Sequence, residues 1–491
     1  MRTEPLIFES GARGRRGSIL PKSDVPARPL GDLLPDGQAR KDTPALPEVS
    51  EQEVVRHFTR LSQLNFSADT NFYPLGSCTM KYNPKMNETA SSLPGFTGLH
   101  PYQDPSSVQG MLELLWDLER ILCELTGMDA FTLHPAAGAQ GELTGLLIAR
   151  AYFESKKEPR TLVIVPDSAH GTNPASAALA GYSVVPAPSN RRGRIDVDAL
   201  KNILSRETAM VMVTCPNTLG LFEDEIEEVS RLAHAAGALL YMDGANFNAL
   251  AGLAQPARLG FDVMHLNLHK TFSVPHGGGG PGAGPVGVTK ALAPYLPFPR
   301  VREKGGKFTV DFESDGSIGR LRAFFGNTLA LVRAYAYVIT LGRNGLREMS
   351  ENAILNANYL LARLKDLFPP FIDESCMHEC VLTPPAGSGL RTLDIAKRLL
   401  DYGFYAPTVY FPLIVPEAMM VEPTETESKK TMDDFADAMR AIAEEARKDP
   451  GLLRSAPHTL PVRRLDEVTA ARNPVLRWRP AVRPAPEPAR K

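Results

Sequence analysis

Lys270 is the residue in this sequence with the most distinctive chemical setting. It ends the apolar run DVMHLNLHK (262–270), and the glycine-rich segment TFSVPHGGGGPGAGPVG (271–287) follows it. A lysine at the carboxyl end of a parallel strand lies where open α/β sheets bind ligands. A lysine desolvated in such a place can act as an amine nucleophile and form an imine with an aldehyde. Taken alone, Lys270 is better interpreted as a surface lysine at a strand end.

A carboxylate is predicted at the same edge of the sheet. Asp243 ends the apolar run ALLYMD (238–243) and precedes Lys270 by 27 residues, which suits one strand–helix–strand crossover. A carboxylate in that place holds a pyridine nitrogen protonated, and a protonated pyridine ring is the electron sink of pyridoxal phosphate chemistry. The competing interpretation of Asp243 alone is a helix cap in a turn.

Two further segments add an imidazole and a phosphate-binding turn. His170 and Thr172 follow the apolar run TLVIVP (161–166), where an imidazole can stack on a flat ring and a hydroxyl can donate a hydrogen bond. The small residues of HPAAGAQGELTG (134–145) open a predicted helix, whose first N–H groups can approach a phosphate. Each segment alone has an ordinary explanation, as a polar turn or as tight helix packing. Together, and in this chain order, the four segments favour a pyridoxal phosphate site.

Alternating strands and helices must position these residues. Short apolar runs typical of strands buried on both faces occur at 161–166, 182–188, 209–216, 238–244 and 262–269. Amphipathic helical patterns occur at 106–128, 142–153, 196–206 and 224–237. This alternation predicts an α/β domain with a mostly parallel sheet covered by helices.

The domain organisation is predicted from changes in composition and in the helix and strand patterns along the chain. Residues 1–95 are predicted to form an N-terminal arm and a loop segment, and residues 96–330 the large domain. Residues 331–491 hold a long helical stretch, the short run VLTPP and two more helical patterns, which predict a smaller α+β domain with an irregular tail. The loop NFYPLGSCTMKYNPKMNE (71–88) is rich in turn formers, and loops of this length are often functional.

Composition narrows the class of protein. The 491 residues hold 54 Lys and Arg against 56 Asp and Glu, a formal net charge of −2. Such a balanced charge gives no overall positive potential that would attract nucleic acid or an anionic membrane. No apolar run approaches the ~18 residues of a membrane helix. Five cysteines in so long a chain do not make a disulfide framework, which favours a reducing compartment, here the cytoplasm. The N-terminus has acidic residues and no apolar core of a signal peptide.

Long strings of this sequence strongly resemble the P-proteins of the glycine cleavage system, a family of glycine decarboxylases. The strings are NFYPLGSCTMKYNPK, HPAAGAQGE, DSAHGTNPASAALAGY, CPNTLGLFE, MDGANFNA and HLNLHKTFSVPHGGGGPG. The similarity is strongest between about residues 65 and 290 and continues more weakly to the end. Family members occur as one long chain or as two half-length chains, and this sequence resembles the half that carries the lysine.

The resemblance implies a fold, an activity and partners. The fold is the pyridoxal-phosphate-dependent transferase fold of the aspartate aminotransferase type (fold type I), with a mostly parallel sheet in the large domain. The activity is decarboxylation of glycine with pyridoxal 5'-phosphate, release of CO2 and transfer of the aminomethyl group to the lipoyl group of H-protein. The partners are lipoylated H-protein and a related subunit 1 that lacks the lysine, in a heterotetramer of two of each.

The resemblance also implies roles for individual residues. Lys270 carries the cofactor through its aldehyde, Asp243 pairs with the pyridine nitrogen, and His170 stacks on the ring and moves protons. The backbone donors to the phosphate are Ala137, Gly138 and Ala139. Thr218 and His269 are further cofactor-binding candidates, taken from their positions in the wider decarboxylase fold. Since glycine has no side chain, its selection requires a small closed pocket, and the 71–88 loop, with Tyr73 and Lys81, is the candidate for a wall of that pocket or for the lipoyl channel.

Other interpretations of the same residues stay open at the level of sequence. Another pyridoxal phosphate reaction on this fold is one, because Arg391 could bind a substrate carboxylate as in aminotransferases. A scaffold subunit without catalysis is another, although the retention of Lys270, Asp243 and His170 argues against it. The match of 282–287 to G-x-G-x-x-G is rejected as a dinucleotide site because prolines interrupt the turn, and Cys376 to Cys380 favours packing over metal binding.

Overall fold

The structure, a computed structural model, describes residues 3–42, 44–276 and 282–479. The chain divides into two compact units, one formed by residues up to 61 together with residues from 454 onward, the other by residues 62–453. All predicted site residues lie in the second unit. The predicted domain boundaries at 95 and 330 stay a prediction.

The α-helices within the described residues vary from one turn to ten. They are α1 (Ile7–Ser10), α2 (Glu51–Gln63), α3 (Lys85–Ser91), α4 (Pro94–Thr97), α5 (Gln109–Thr126), α6 (Gly138–Ser155), α7 (Thr172–Leu179), α8 (Val197–Ile203), α9 (Ile226–Ala235), α10 (Leu268–Thr271), α11 (Thr328–Leu364), α12 (Thr392–Asp401), α13 (Lys429–Lys448), α14 (Pro450–Arg454) and α15 (Glu467–Arg472).

The strands are short, as in most α/β proteins. They are β1 (Ala130–Thr132), β2 (Leu162–Pro166), β3 (Ser183–Ala187), β4 (Thr208–Thr214), β5 (Leu239–Gly244), β6 (Val263–Leu266), β7 (Val286–Val288), β8 (Arg300–Lys304), β9 (Lys307–Asp311), β10 (Cys380–Leu382), β11 (Thr408–Val409) and β12 (Met419–Val421).

A seven-stranded sheet forms the centre of the second unit, in the order β1-β7-β6-β5-β4-β2-β3. Strands β6, β5, β4, β2 and β3 are parallel, and β7 is antiparallel to both β6 and β1. Every residue of β4 and β5 is buried, because helices cover both faces of the sheet. The predicted mostly parallel sheet is confirmed, and its parallel strands bring their carboxyl ends to one edge.

The segment that carries Lys270 differs from the prediction. The predicted strand over 262–269 is wrong in its second half, because β6 ends at Leu266 and Lys270 lies in the one-turn helix α10. The amides of Lys270 and Thr271 donate to the carbonyl of Asn267, at 3.0 and 3.2 Å, so the backbone turns instead of continuing the strand.

The connection from β5 to β6 also differs from the predicted helical crossover. It contains the 3-10 helices Phe247–Ala249 and Pro256–Leu259 in place of an α-helix. Gly252 and Gly260, with φ of +74° and +91°, and Pro256 interrupt any longer helix there.

A three-stranded antiparallel sheet in the order β10-β12-β11 forms a smaller layer, packed with helices α12 and α13. The predicted C-terminal α+β part is confirmed in its type of structure. The predicted long helical stretch corresponds to α11. A non-helical backbone at Gly342, with φ of +61°, divides α11 into two helical halves. The second half of α11 shares a hydrophobic core with α12 and α13 that includes Leu364, Phe368, Leu399 and Phe435.

The other unit consists mainly of an extended arm and helix α2. The Glu4 carboxylate accepts hydrogen bonds from Arg60 at 2.6 and 2.8 Å and lies 3.2 Å from Nδ1 of His57, which ties the start of the chain to α2. Ile19 and Leu20 of the arm are 89% and 83% exposed. No helix among the described residues is long and apolar enough to cross a membrane.

Candidate active site

One cavity of about 210 Å³ lies at the carboxyl edge of the parallel strands. Nine predicted site residues line it, namely Ala137, Gly138, Ala139, His170, Thr172, Thr218, Asp243, His269 and Lys270. They come from the ends of β2, β4, β5 and β6 and from the start of α6. Residues far apart in the chain meet here because parallel strands all end at the same edge.

Lys270 reaches this cavity from α10 and is half-buried. The surrounding titratable groups respond to its positive charge. The Lys270 ammonium contributes, after burial, to the low pKa of His269, which is about 3, and it lowers the pKa of Asp243 against the effect of burial. The lysine therefore lies in the electrostatic field of a carboxylate and a neutral imidazole, inside a cavity rather than in open solvent.

Asp243 is buried and held from three sides. Asn173 Nδ2 donates to Oδ2 at 3.0 Å and the Ala245 amide donates to Oδ1 at 2.9 Å, while Nε2 of His265 lies 3.3 Å from Oδ1. Burial alone would raise the pKa of Asp243, but His265, these hydrogen bonds and Lys270 together lower it. The carboxylate is therefore kept ionised, as an acceptor for a protonated ring nitrogen must be.

His170 and Thr172 form a local pair at the mouth of the cavity. The Thr172 amide donates to Nδ1 of His170 at 3.2 Å, and the Thr172 hydroxyl lies 3.0 Å from the same nitrogen. The Thr172 hydroxyl donates to the buried carboxylate of Glu142 at 2.8 Å. The exposed His170 ring also meets Phe411 edge-on, with centroids 5.4 Å apart. These contacts occupy Nδ1 of His170, so Nε2 is the ring nitrogen that can exchange a proton with a bound group.

The start of α6 forms a cradle of small residues. Ala137 is the N-cap residue and Gly138 begins the helix, whose first-turn N–H groups have no acceptor within the helix. A Cβ on Gly138 would lie 2.1 Å from Oδ1 of Asn267, so only glycine fits at this contact. The bare helix end, carrying partial positive charge, suits an anionic phosphate at the cavity.

Three buried polar atoms of the cavity find no acceptor or donor within the described part of the chain. They are Nδ1 of His269, the hydroxyl of Thr214 and Oδ1 of Asn246. Thr218 differs, since its hydroxyl donates to the carbonyl of Ser168. Orphaned polar atoms cost free energy in a closed protein interior, so His269 and Thr214 favour a polar ligand in this cavity. With the glycine cradle and the ionised Asp243, the donor set fits a phosphorylated pyridine carrying an aldehyde.

The 71–88 loop contributes less than predicted. Ser77 lines the cavity, but Tyr73 stacks on Tyr405, with ring centroids 4.1 Å apart. Lys81 does not line this cavity, because its side chain is 1% exposed and its ammonium is bound within the protein. A role of the loop in the glycine pocket or the lipoyl channel stays a prediction. The loop ends at Lys85, where α3 begins.

Sequence reasoning missed several residues of this site. Glu142, His265 and Asn267 line the cavity, and His265 also lies 2.6 Å from the Tyr241 hydroxyl through Nδ1. A signal for two of them was present, since polar residues alternate with apolar ones at 265, 267 and 269 and so share one side of the chain. Glu142 had no such signal, because a glutamate in a helix is usually exposed.

Comparison with known protein families gives two matches along the chain. Residues 29–301 match the family model described as glycine cleavage system P-protein. Residues 349–456 match the model described as glycine dehydrogenase, C-terminal domain.

Two curated relatives are similar over nearly the whole chain, and both are named probable glycine dehydrogenase (decarboxylating) subunit 2. The protein of Caldanaerobacter subterraneus subsp. tengcongensis is 58% identical, covering 96% of this chain and 98% of that protein. The protein of Thermotoga maritima is 53% identical, covering 96% of this chain and 99% of that protein.

Solved structures share the fold at lower sequence identity. The inhibitor-bound glycine decarboxylase (P-protein) of the glycine cleavage system has a TM-score of 0.71 at 22% identity, over 84% of this chain and 93% of that one. The Escherichia coli cysteine desulfurase CsdA has a TM-score of 0.60 at 16% identity, over 79% and 98% of the two chains. The predicted fold class is confirmed by these neighbours together with the sheet described above.

Proposed function

We propose that this chain, a member of the glycine cleavage system P-protein family, decarboxylates glycine with pyridoxal 5'-phosphate. Within the family it is similar over nearly its whole length to proteins named glycine dehydrogenase (decarboxylating) subunit 2. The carboxylate of glycine leaves as CO2, and the aminomethyl group passes to the oxidised lipoyl disulfide of H-protein, which is reduced. The observation that carries the proposal is the meeting of nine residues, predicted from separate segments, in one cavity.

The chain's residues divide the work of holding the cofactor. When bound, pyridoxal phosphate supplies an aldehyde that accepts an amine and a protonated ring that withdraws electrons from a breaking bond. Lys270 is the amine that takes the aldehyde, and the ionised Asp243 faces the ring nitrogen. Ala137, Gly138 and Ala139 offer the start of α6 to the phosphate.

The remaining residues control position and protons. His170 stacks on the cofactor ring, and its Nε2 can give a proton to a bound group or take one from it. Thr172, Thr218 and His269 complete the cofactor contacts. His269 stays neutral at physiological pH, since burial, then the charges of Lys270 and His276, lower its pKa to about 3.

The relatives' name, subunit 2, implies a subunit 1 as partner, and we propose a heterotetramer of two chains of each kind. The exposed apolar side chains of the N-terminal arm support a protein partner, because such residues are costly to leave in water. They include Ile19, Leu20, Val25 and Leu30, which are 62–89% exposed. The reducing cytoplasm is the proposed location, and all five cysteines are free.

The test is exchange of labelled bicarbonate into glycine. The chain is purified with and without its proposed partner and is supplied with pyridoxal phosphate and lipoylated H-protein. We expect label in the glycine carboxyl group only when glycine and lipoylated H-protein are both present. Label incorporation that is unaffected by omitting H-protein would contradict the proposed acceptor. No incorporation by the complex would contradict the proposed activity.

A further inference from the structure

Residues 77–81 are tied to the C-terminal part of the chain by buried carboxylates. The Ser77 amide donates to Glu379 at 2.7 Å, and the amide and hydroxyl of Thr79 donate to Glu422 at 2.9 and 2.6 Å. Ser77 and Thr79 have φ of +63° and +48°, in the left-handed region that non-glycine residues rarely adopt. Such a backbone persists only where its surroundings hold it, and here the two carboxylates do so.

Lys81 makes the third contact between this loop and the C-terminal part of the chain, through a buried ion pair with Glu425. Its Nζ donates to Glu425 at 2.7 Å, to Oδ1 of Asn248 at 2.7 Å and to the carbonyl of Thr271 at 3.0 Å. These three oxygen acceptors match the three protons of the ammonium, and Sδ of Met349 lies 3.5 Å from Nζ as a weaker fourth partner. Burial lowers the pKa of Lys81, and the charge of Glu425 opposes that effect. Because a buried ammonium is stable only with its acceptors in place, the three acceptors fix where Nζ lies.

The carbonyl that Lys81 binds belongs to the turn that carries Lys270. Thr271 is the next residue in the chain and the last of α10, where Lys81 supplies a hydrogen bond to a carbonyl near the helix end. The adjoining residues are held by the same loop, since Asn83 Nδ2 donates to the carbonyl of Ser273 at 2.9 Å.

We propose that Lys81 is a positioning residue, which holds the α10 turn so that Lys270 faces the cavity. The contact joins four separate segments at one nitrogen atom. They are the loop before α3, the connection after β5, the α10 turn and the C-terminal part through Glu425. The inference rests on the proposed role of Lys270 as the residue that carries the cofactor.

The test compares three variants of the full chain, purified with its proposed partner. Lys81→Met removes the charge and keeps the aliphatic chain. Lys81→Met combined with Glu425→Gln also removes the carboxylate left unpaired, which restores folding if the single variant is unstable. Lys365→Met is the matched control, because it breaks an exposed ion pair with Asp373, 3.1 Å in length.

Two readouts separate positioning from general stability. The first is hydrogen exchange of the amides of residues 270–274 in the cofactor-free protein. The second is the fraction of Lys270 trapped by borohydride at a limiting concentration of pyridoxal phosphate. We expect both Lys81 variants to exchange about tenfold faster at these amides, with α13 unchanged, and to lose most of the trapping. The control should match the parent protein in both.

Two results would overturn the proposal. One is exchange at residues 270–274 equal to that of the parent in the double variant. The other is faster exchange spread evenly along the chain, which marks a loss of stability alone. If the parent itself shows no trapping at Lys270, the proposed function fails, while the exchange measurement still decides whether Lys81 holds the turn.

Discussion

Asp243 and His265 face each other across neighbouring strands, paired in register on β5 and β6 with Oδ1 and Nε2 3.3 Å apart. Nδ1 of the same imidazole lies 2.6 Å from the Tyr241 hydroxyl. The three side chains form a buried row that ends at the cavity, and the row keeps the Asp243 carboxylate ionised and pointed in one direction. A carboxylate that is ionised and fixed in direction is suited to hold a ring nitrogen in its protonated form.

The first prediction concerns the charge of Asp243. Asp243→Asn keeps the shape of the side chain but removes the negative charge, so the ring nitrogen loses its ionic partner. We expect bicarbonate exchange into glycine to fall by at least about 100-fold, in keeping with the loss of one buried charge pair. Thermal unfolding of the cofactor-free protein is the companion measurement. A variant with undiminished exchange would show that Asp243 does not face the ring.

The second prediction concerns the cradle at the start of α6. Gly138→Ala places a methyl group only 2.1 Å from Oδ1 of Asn267, which is closer than two such atoms can approach. Since the helix end or Asn267 must move, we expect pyridoxal phosphate to bind at least about tenfold more weakly. Binding is measured by fluorescence titration of the cofactor-free protein.

Gly110→Ala is the matched control for the cradle. Gly110 lies in the first turn of α5 and a Cβ there would meet nothing within 4 Å. This variant should bind the cofactor like the parent. Equal binding by both variants would contradict the assignment of the phosphate to this helix.

The third prediction separates two roles of His170. His170→Phe keeps a flat ring for stacking but has no proton to transfer, whereas His170→Ala has neither. We expect the phenylalanine variant to retain cofactor affinity within about threefold and to lose about 100-fold in exchange rate, the usual contribution of a general acid or base. The alanine variant should lose both. Full exchange activity in His170→Phe would leave stacking as the only role of this residue.

The fourth prediction is a pH dependence of stability that originates at His134. Burial lowers the pKa of His134 to about 4. A hydrogen bond from the imidazole to the Pro299 carbonyl opposes this effect, and the charges of nearby arginines add to it. The folded pKa lies below the ordinary value of about 6.5, so the unfolded state binds the proton more tightly. The stabilising effect of the neutral ring is complete above pH 6.5 and is lost as the pH falls towards 4.

Urea unfolding of the parent and of His134→Gln at pH 7 and pH 5 measures this effect. We expect the parent's advantage in free energy of unfolding to shrink by about 1–2 kcal/mol between the two pH values. An advantage that stays constant with pH would contradict a buried neutral His134.

The sequence predicted which residues meet at the cavity better than it predicted the local backbone. Lys270, Asp243 and His170 could be identified from the sequence because each lies at or just after the end of an apolar run. Parallel strands bring residues in such positions to one edge of the sheet. The end of β6 was misplaced because LNLH continues the apolar alternation, and only the turn bonded to the Asn267 carbonyl ends the strand there.

Buried polar groups were the least predictable part of the molecule. Lys81 and Glu142 are charged residues whose burial depends on partners 344 and 30 positions away in the chain, respectively. Pattern and composition report local preference, which for lysine and glutamate is exposure. Their burial follows from tertiary contacts alone, so sequence reasoning named Lys81 only as part of the candidate loop and passed over Glu142.

The most direct test of the account is the site of cofactor attachment. The full chain is loaded with pyridoxal phosphate, reduced with borohydride and digested, and the modified lysine is located by mass spectrometry. The account predicts a single reduced adduct at Lys270, absent from Lys270→Ala. An adduct at another lysine, or an unmodified chain, would contradict it.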